Sequence, residues 1–162
     1  MTLALVIEQI DYTDKDACDT LVHLLDNYAR DPMGGGKPLS DYTKQHLAES
    51  LSSIDGAVSL LARLDDKPVG FSNCFQGFST FACAPLLNVH DIAVDPSYRG
   101  QGIASQLLAE IARIAADRGC CKVTLEVLVG NEIAKRVYQT AGFEPAAQRE
   151  AAGPYEFWEK PV

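Results

Sequence analysis

Hydrophobic positions along the chain follow two spacings, one typical of strands and one typical of helices. Strand-like apolar runs cover residues 3–10, 58–64, 69–78, 86–94 and 121–128, and runs over residues 143–148 and 155–160 predict a closing hairpin. Apolar residues at helical spacing predict four helices near residues 15–29, 41–53, 103–118 and 131–141. We therefore expect one α/β (α+β) domain over residues 1–162, with about four helices flanking a mixed sheet of six to seven strands.

The fourth predicted strand gives way to the third predicted helix at a glycine-rich turn. The turn consists of Arg99, Gly100, Gln101, Gly102, Ile103 and Ala104. Its two glycines leave backbone N–H groups free to face a ligand where the helix begins, and the helix dipole favours an anion there. Arg99 adds a cation beside them. This pattern favours a phosphate-binding turn, although for a lone Gly-x-Gly a tight turn into a helix is the alternative interpretation.

The charge balance limits the classes of partner. The chain carries 22 acidic and 14 basic residues, which gives a formal net charge of −8. This charge repels the phosphate backbone of nucleic acids, and the sequence shows no basic patch that would compensate for it. An acidic protein attracts cationic small molecules, but an acidic surface also serves solubility alone.

Cysteine and histidine positions indicate neither a disulfide framework nor a metal site. The five cysteines are odd in number and scattered, and the three histidines do not fall at the spacings of zinc ligands. The first ten residues lack a basic segment and carry Glu8, which is unlike a secretory signal. Residues 68–90 are uncharged but too polar for a membrane helix. We expect reduced thiols, no metal, no membrane partner and a cytoplasmic location.

Two motifs in this order resemble those of the GNAT superfamily of N-acetyltransferases. The run over residues 87–104 resembles its acyl-CoA signature, R/Q-x-x-G-x-G/A, through Arg99, Gly102 and Ala104. The second motif, N-x-x-A-x-x-x-Y-x-x-x-G-F, is matched by Asn131, Ala134, Tyr138, Gly142 and Phe143. The resemblance covers about residues 58–143, with a looser similarity to the spermidine/spermine and diamine acetyltransferase branch. Two motifs on their expected elements are far more specific than the glycines alone.

The resemblance implies how the chain would hold acetyl-CoA. The amides of residues 100–104 would bind the pyrophosphate of the coenzyme. In the superfamily the preceding strand splays away from its neighbour at a bulge, which here falls on Ile92, Ala93 and Val94. Its backbone would pair with the pantetheine arm, and the Ile92 amide would polarise the thioester carbonyl. Asn131 would bond to the same arm, cap the fourth helix, or do both.

The resemblance also indicates which residues could remove and return protons during acetyl transfer to an amine. An alkylamine with a pKa of about 10.4 is protonated at neutral pH and must lose a proton before it attacks. His90 is the first candidate for the base, because regular strand alternation places it on the same face as Ile92. A water relay or Glu126 on the next strand is the alternative. Tyr138 matches the residue that returns a proton to the departing thiolate.

The resemblance therefore implies an N-acetyltransferase in which a primary amine of a small cationic acceptor attacks acetyl-CoA directly. Two alternatives remain open, a non-catalytic acyl-CoA sensor and an acetyltransferase of peptide or protein amines. A dinucleotide-binding oxidoreductase fits poorly. Although Glu126 follows the glycines at a suitable distance, the chain does not begin like a doubly wound sheet. The sequence leaves the acceptor and the oligomeric state undetermined, with a homodimer as one candidate.

Overall fold

A five-stranded mixed sheet organises the computed structural model, which describes residues 4–146 and 156–162. The strands are β1 (Leu5–Gln9), β2 (Ala57–Leu64), β3 (Lys67–Ser79), β4 (Ala84–Val94) and β5 (Val123–Leu125). The helices are α1 (Lys15–Arg30), α2 (Asp41–Ser52), α3 (Ile103–Asp117) and α4 (Glu132–Thr140). Short 3₁₀ turns occupy Pro32–Gly34 and Pro96–Tyr98. The four predicted helices are confirmed.

The strands lie in chain order, and helices cover both faces of the sheet. β1 to β4 run antiparallel, whereas β4 and β5 are parallel and joined through α3, as the strand-helix-strand order predicts. One buried cluster joins the sheet to α3, with Leu107 and Ile111 at its centre. The other joins it to α1 and α2 through Leu21, Leu51 and Phe71. The fold thus has three layers, and α1 and α3 each bury one apolar stripe against the sheet.

Pairing between β4 and β5 stops after three residue pairs. The last pair is Val89 with Leu125, and β4 then continues to Val94 paired with β3 only. At this point the register between β3 and β4 also shifts, because Asn73 pairs with Asp91 and Cys74 with Val89. His90 is therefore an extra residue in β4, a β-bulge, which bends the strand and ends the regular ladder. The sheet opens between β4 and β5 directly beyond it.

The predicted number of six to seven strands is wrong for the part of the chain that the structure describes. Neither residues 143–146 nor residues 156–160 form a strand, and the rest of the predicted hairpin lies outside the described residues. Phe143 instead ends α4. Its N–H donates to the carbonyl of Tyr138 (2.9 Å), and Gly142, with φ of 88°, donates to Gln139 (3.0 Å). This is a Schellman motif, so the aromatic residue after the glycine caps a helix.

Other expectations concern cysteines, metals and membranes. Cys18, Cys74, Cys83, Cys120 and Cys121 are all free thiols. Over residues 4–146 and 156–162, no three His, Cys, Asp or Glu side chains are grouped so that they could hold a metal ion. Within the same residues, no helix combines the length and apolar character needed to cross a bilayer.

Candidate active site

The gap between β4 and β5 opens into the principal cleft of the described structure. The cleft is open to solvent, and its volume is about 1640 Å³ when the solvent space in its mouth is included. One wall is the end of β4 that has no β5 partner, formed by Ile92, Ala93 and Val94, and we call it the unpaired end of β4. The facing wall is formed by residues 126–128 after β5. α3 enters at one end of the cleft, and α4 and the end of α1 complete it. The predicted splaying of the sheet thus creates a concave surface of the kind that binds small molecules.

The N-terminus of α3 presents backbone N–H groups to this cleft without a competing side chain. Of the four described helices, α3 alone lacks both a side-chain N-cap and an acidic residue in its first turn. Its first helical hydrogen bond runs from Gln106 to Gly102, which leaves the preceding amides free of intrahelical partners. A helix end of this kind favours an anion through both its donors and its dipole.

The two glycines of the turn supply the backbone shape that this arrangement needs. Gly100 has φ of 78° and Gly102 has φ of 79°, in the left-handed region that other residues enter at a cost of about 1–2 kcal/mol. A Cβ atom at either position would meet no protein atom within 4 Å. Space for a ligand therefore lies directly beside the free amides. Ile103 is buried and anchors the helix, while Ala104 lines the cleft and Gln101 is exposed outside its lining.

Arg99 is held at the edge of this turn by two acceptors. Its Nε donates to the carbonyl of Val94 (3.2 Å), and its Nη2 donates to a carboxylate oxygen of Asp31 at the end of α1 (3.2 Å). Slightly more than half of the Arg99 side chain is exposed (53%), and it lines the cleft. A guanidinium in this position adds a positive charge to the anion-binding end of the cleft.

Tyr138 on α4 faces the cleft from the same side as α3. Its ring packs against Phe143 with a centroid separation of 6.1 Å, which is the hydrophobic contact that accompanies a Schellman motif. The Gly-Phe pair of the second motif therefore fixes the position of the tyrosine. Burial raises the pKa of Tyr138, and the nearby phenol of Tyr28 raises it further. The phenol consequently stays protonated over the neutral range and can donate a proton.

Asn131 and Glu126 also line the cleft. The Asn131 side chain accepts from the backbone N–H of Ala134 (3.2 Å) and so caps α4, as one of its two predicted roles requires. Glu126 lies just beyond the end of β5, where one carboxylate oxygen is 3.5 Å from the side-chain amide of Asn88. The carboxylate is exposed within the cleft mouth.

The structure contradicts the predicted placement of His90 beside Ile92. Ile92 and Val94 pack towards α3, whereas the His90 ring meets Phe75 edge-on (5.5 Å between centroids) on the opposite, α1-facing side of the sheet. The cause is the bulge at His90, because one extra residue reverses the alternation between Val89 and Ile92. His90 is exposed and does not line the cleft. The predicted placement assumed regular strand alternation from His90 to Ile92, which the bulge interrupts.

Several cleft residues escaped the sequence reasoning, and one group of them comes from the last turn of α1 and the residues just after it. Tyr28, Asp31 and Met33 form this group. Nothing in the hydrophobic pattern separates Tyr28 from the other apolar residues of α1. The available signal was the sequence from Asp31 to Gly36, which we call the α1–α2 turn, since three successive glycines impose an unusual backbone. At Gly34 a Cβ would lie 2.0 Å from the carbonyl oxygen of Tyr28, so only glycine fits there.

Comparison with known proteins identifies the family. The sequence profile of the acetyltransferase (GNAT) family matches residues 21–143. The chain belongs to this family. It is 34% identical over 99 residues to a thialysine N-epsilon-acetyltransferase of Bos taurus, with 52% of this chain and 58% of that protein aligned. It is 31% identical over 104 residues to an aminoglycoside N(6')-acetyltransferase of Salmonella typhimurium, with 61% and 72% aligned. The chain thus spans little more than half the length of the bovine relative.

Solved structures of this GNAT protein's relatives show the same fold. A probable acetyltransferase superposes with a TM-score of 0.78 at 23% identity, over 97% of both chains. An aminoglycoside N-acetyltransferase in complex with CoA superposes with a TM-score of 0.75 at 22% identity, over 99% of this chain and 97% of the other. At these identities the likeness establishes the fold alone. The predicted membership of the GNAT superfamily is confirmed.

The residues at the N-terminus of α3 fit the diphosphate of a coenzyme A molecule. Free amides, two left-handed glycines with open space beside them and a neighbouring guanidinium together match the charge and donor needs of a diphosphate. Residues 92–94 pair with β3 but have no partner on the β5 side, and this free edge lies in the same cleft, where an amide-bearing arm could add to it.

Replacing Gly102 by alanine tests this fit. Gly102→Ala should weaken CoA binding by roughly tenfold or more, which corresponds to ~1.4 kcal/mol, because the methyl group enters the ligand space and strains the turn. Gly119→Ala is the matched control, since Gly119 has φ of 69° at the other end of α3 and also has open space around it. Both variants should lose about 1–2 kcal/mol of unfolding free energy, but only the first should lose affinity in calorimetry. Equal affinities would contradict the assignment of the diphosphate to this turn.

Proposed function

We propose that this GNAT protein is an acetyl-CoA-dependent N-acetyltransferase that transfers an acetyl group to the primary amine of a small cationic acceptor. The observation that carries the proposal is the meeting of three features in one cleft. These are the uncapped N-terminus of α3, the unpaired end of β4 and the protonated phenol of Tyr138. An anion site, an exposed strand edge and a proton donor are what aminolysis of a coenzyme A thioester needs from a protein.

The thioester supplies an activated acyl group, and the chain supplies position and charge stabilisation. The free amides at α3 and the Arg99 guanidinium bind the diphosphate and so fix one end of the coenzyme. The backbone of residues 92–94 orients the arm, with the Ile92 amide directed at the developing oxyanion. Tyr138 donates a proton to the leaving thiolate, which its raised pKa allows at neutral pH.

The acceptor amine must lose a proton, and Glu126 is the carboxylate that the structure favours for this step. It lines the same cleft as Tyr138, on the facing side of the opening from residues 92–94. His90, in contrast, lies on the other side of the sheet against Phe75. We therefore place Glu126, acting directly or through a water molecule, ahead of His90 as the proton acceptor.

Two observations support a small cationic acceptor. Relatives aligned with this chain are described as acetyltransferases of thialysine and of aminoglycosides, both amine compounds. The formal net charge of −8 creates a field that attracts cations to the molecule and repels polyanions. We further propose direct attack in a ternary complex, because the cleft brings together no cysteine that could carry the acetyl group.

An amine panel tests the proposed activity. Purified protein with acetyl-CoA should release free thiol when diamines, thialysine-like amino acids or aminoglycosides are added, and N-acetylated products should appear by mass spectrometry. Neutral analogues of the same size should be poorer substrates, because they lack the charge that the acidic surface attracts. Tight acetyl-CoA binding with no thiol release for any amine would favour an acyl-CoA sensor. Release with peptide amines alone would favour the protein-directed alternative.

Tyr138→Phe should lower kcat by about a hundredfold, because the proton donor is lost while the ring and its contact with Phe143 remain. CoA affinity should stay within about twofold of the parent. Tyr42→Phe is the control, since Tyr42 is exposed on α2 and outside the cleft. In the parent protein, the rate should stay high on the alkaline side to a pH above the range where free tyrosine ionises. The reason is that the pKa of Tyr138 is raised, so the phenol keeps its proton. An unchanged kcat in a reaction limited by chemistry would remove Tyr138 from the mechanism.

Glu126→Gln and His90→Gln distinguish the two candidate bases. The first should lower kcat by about a hundredfold, because the proton acceptor is lost while the shape of the side chain is kept. The second should leave kcat close to that of the parent, because His90 does not line the cleft. A loss of kcat in His90→Gln with an unchanged kcat in Glu126→Gln would reverse the assignment.

A further inference from the structure

An acidic residue lies where the proposed cofactor would bring two or more negative charges. Asp31, at the C-terminal end of α1, accepts a hydrogen bond from Nη2 of Arg99 (3.2 Å) and lines the same cleft as the free amides of α3. Its side chain is 23% exposed, against 53% for Arg99. The glycine-rich turn over residues 99–104 carries no acidic residue of its own. The neighbouring carboxylate of Asp31 therefore requires a reason.

The capping role of Asp31 does not require a charge. The same carboxylate accepts from the backbone N–H of Met33 (2.9 Å) and so caps the 3₁₀ turn Pro32–Gly34. Asparagine and serine make this kind of cap as well as aspartate does. The pKa of Asp31 lies below its usual range because Met33 donates to the carboxylate and, to a lesser degree, because Arg99 does. The carboxylate is therefore ionised whenever the cofactor could bind.

The negative charge of Asp31 instead acts on the guanidinium of Arg99, with which it forms an ion pair. A guanidinium holds its five donors in one fixed plane, and here Nε is directed at Val94 and Nη2 at Asp31, so this pair sets the orientation of the group. A diphosphate at the N-terminus of α3 would compete with Asp31 for the Nη2 group and would also be repelled by the charge of Asp31. Both effects lower affinity for coenzyme A, and most changes of affinity within one site are expressed in the dissociation rate.

We propose, on the basis of the proposed function, that Asp31 is a positioning residue that competes with the diphosphate for Arg99 and thereby accelerates release of coenzyme A. Asp31 holds the guanidinium in place when the site is empty and recaptures it as the product leaves. Asp31 also accepts from the Met33 amide, and the Tyr28 hydroxyl donates to the Met33 carbonyl (3.4 Å), so the carboxylate is held within the α1–α2 turn while it competes for Arg99.

Asp31→Asn tests the proposal with a binding measurement that does not depend on turnover. Calorimetry at low salt should show CoA bound about three- to tenfold more tightly than by the parent, with a correspondingly slower dissociation rate. The difference should nearly vanish at about 1 M salt, where charges are screened within ~3 Å. Asp19→Asn is the matched control, because Asp19 pairs with Lys15 on the exposed side of α1 and its loss changes net charge equally. Asp31→Ser, which can also cap the turn, repeats the test if the asparagine variant folds poorly.

A double-mutant cycle with Arg99→Ala separates competition from simple repulsion. If Asp31 acts through Arg99, Asp31→Asn should tighten CoA binding much less in the Arg99→Ala background. Equal tightening in both backgrounds, or no tightening in the parent background, would overturn the proposal. These outcomes leave the proposed function intact, because the parent still binds CoA. Failure of the parent itself to bind CoA would instead defeat the proposed function.

Discussion

One extra residue in β4 determines where this molecule can bind a ligand. A parallel strand pair satisfies its backbone groups only while the ladder is regular, and the bulge at His90 ends that ladder after Val89. Beyond it, β4 retains an edge with free hydrogen-bonding groups inside the protein rather than at the border of the sheet. Such an edge is exposed to water or must find a partner. The cleft is thus a consequence of how β4 is built.

The electrostatics of the cleft are divided between its two ends. At α3 the charge is positive in character, because uncapped amides and Arg99 lie together and the first turn of the helix carries no acid. Elsewhere in the cleft lie the phenols of Tyr28 and Tyr138 and the carboxylate of Glu126, and we propose Tyr138 and Glu126 as proton donor and acceptor. An anionic cofactor and a cationic acceptor can therefore occupy one continuous space from opposite ends. The Asp31–Arg99 ion pair belongs to the α3 end and places one carboxylate beside it.

Much of the architecture could be predicted from sequence because it depends on local rules. Apolar spacing located the four helices, and the glycines marked the start of α3, since left-handed backbone conformations have a distinct residue preference. The side of the sheet to which His90 belongs could not be predicted, because a one-residue bulge leaves no trace in an apolar strand pattern. The α1–α2 turn was missed for a related reason. Its contribution to the cleft arises from packing across the fold, which no local pattern encodes.

The Schellman motif at the end of α4 has a consequence for how the chain can be engineered. Gly142 and Phe143 close the helix with their own backbone bonds, and the Phe143 ring supports Tyr138 from within the same segment. Within the residues that the structure describes, one six-residue span, 138–143, therefore both ends the helix and supports the phenol. A substitution at Gly142 or Phe143 alters the support of the phenol together with the end of the helix.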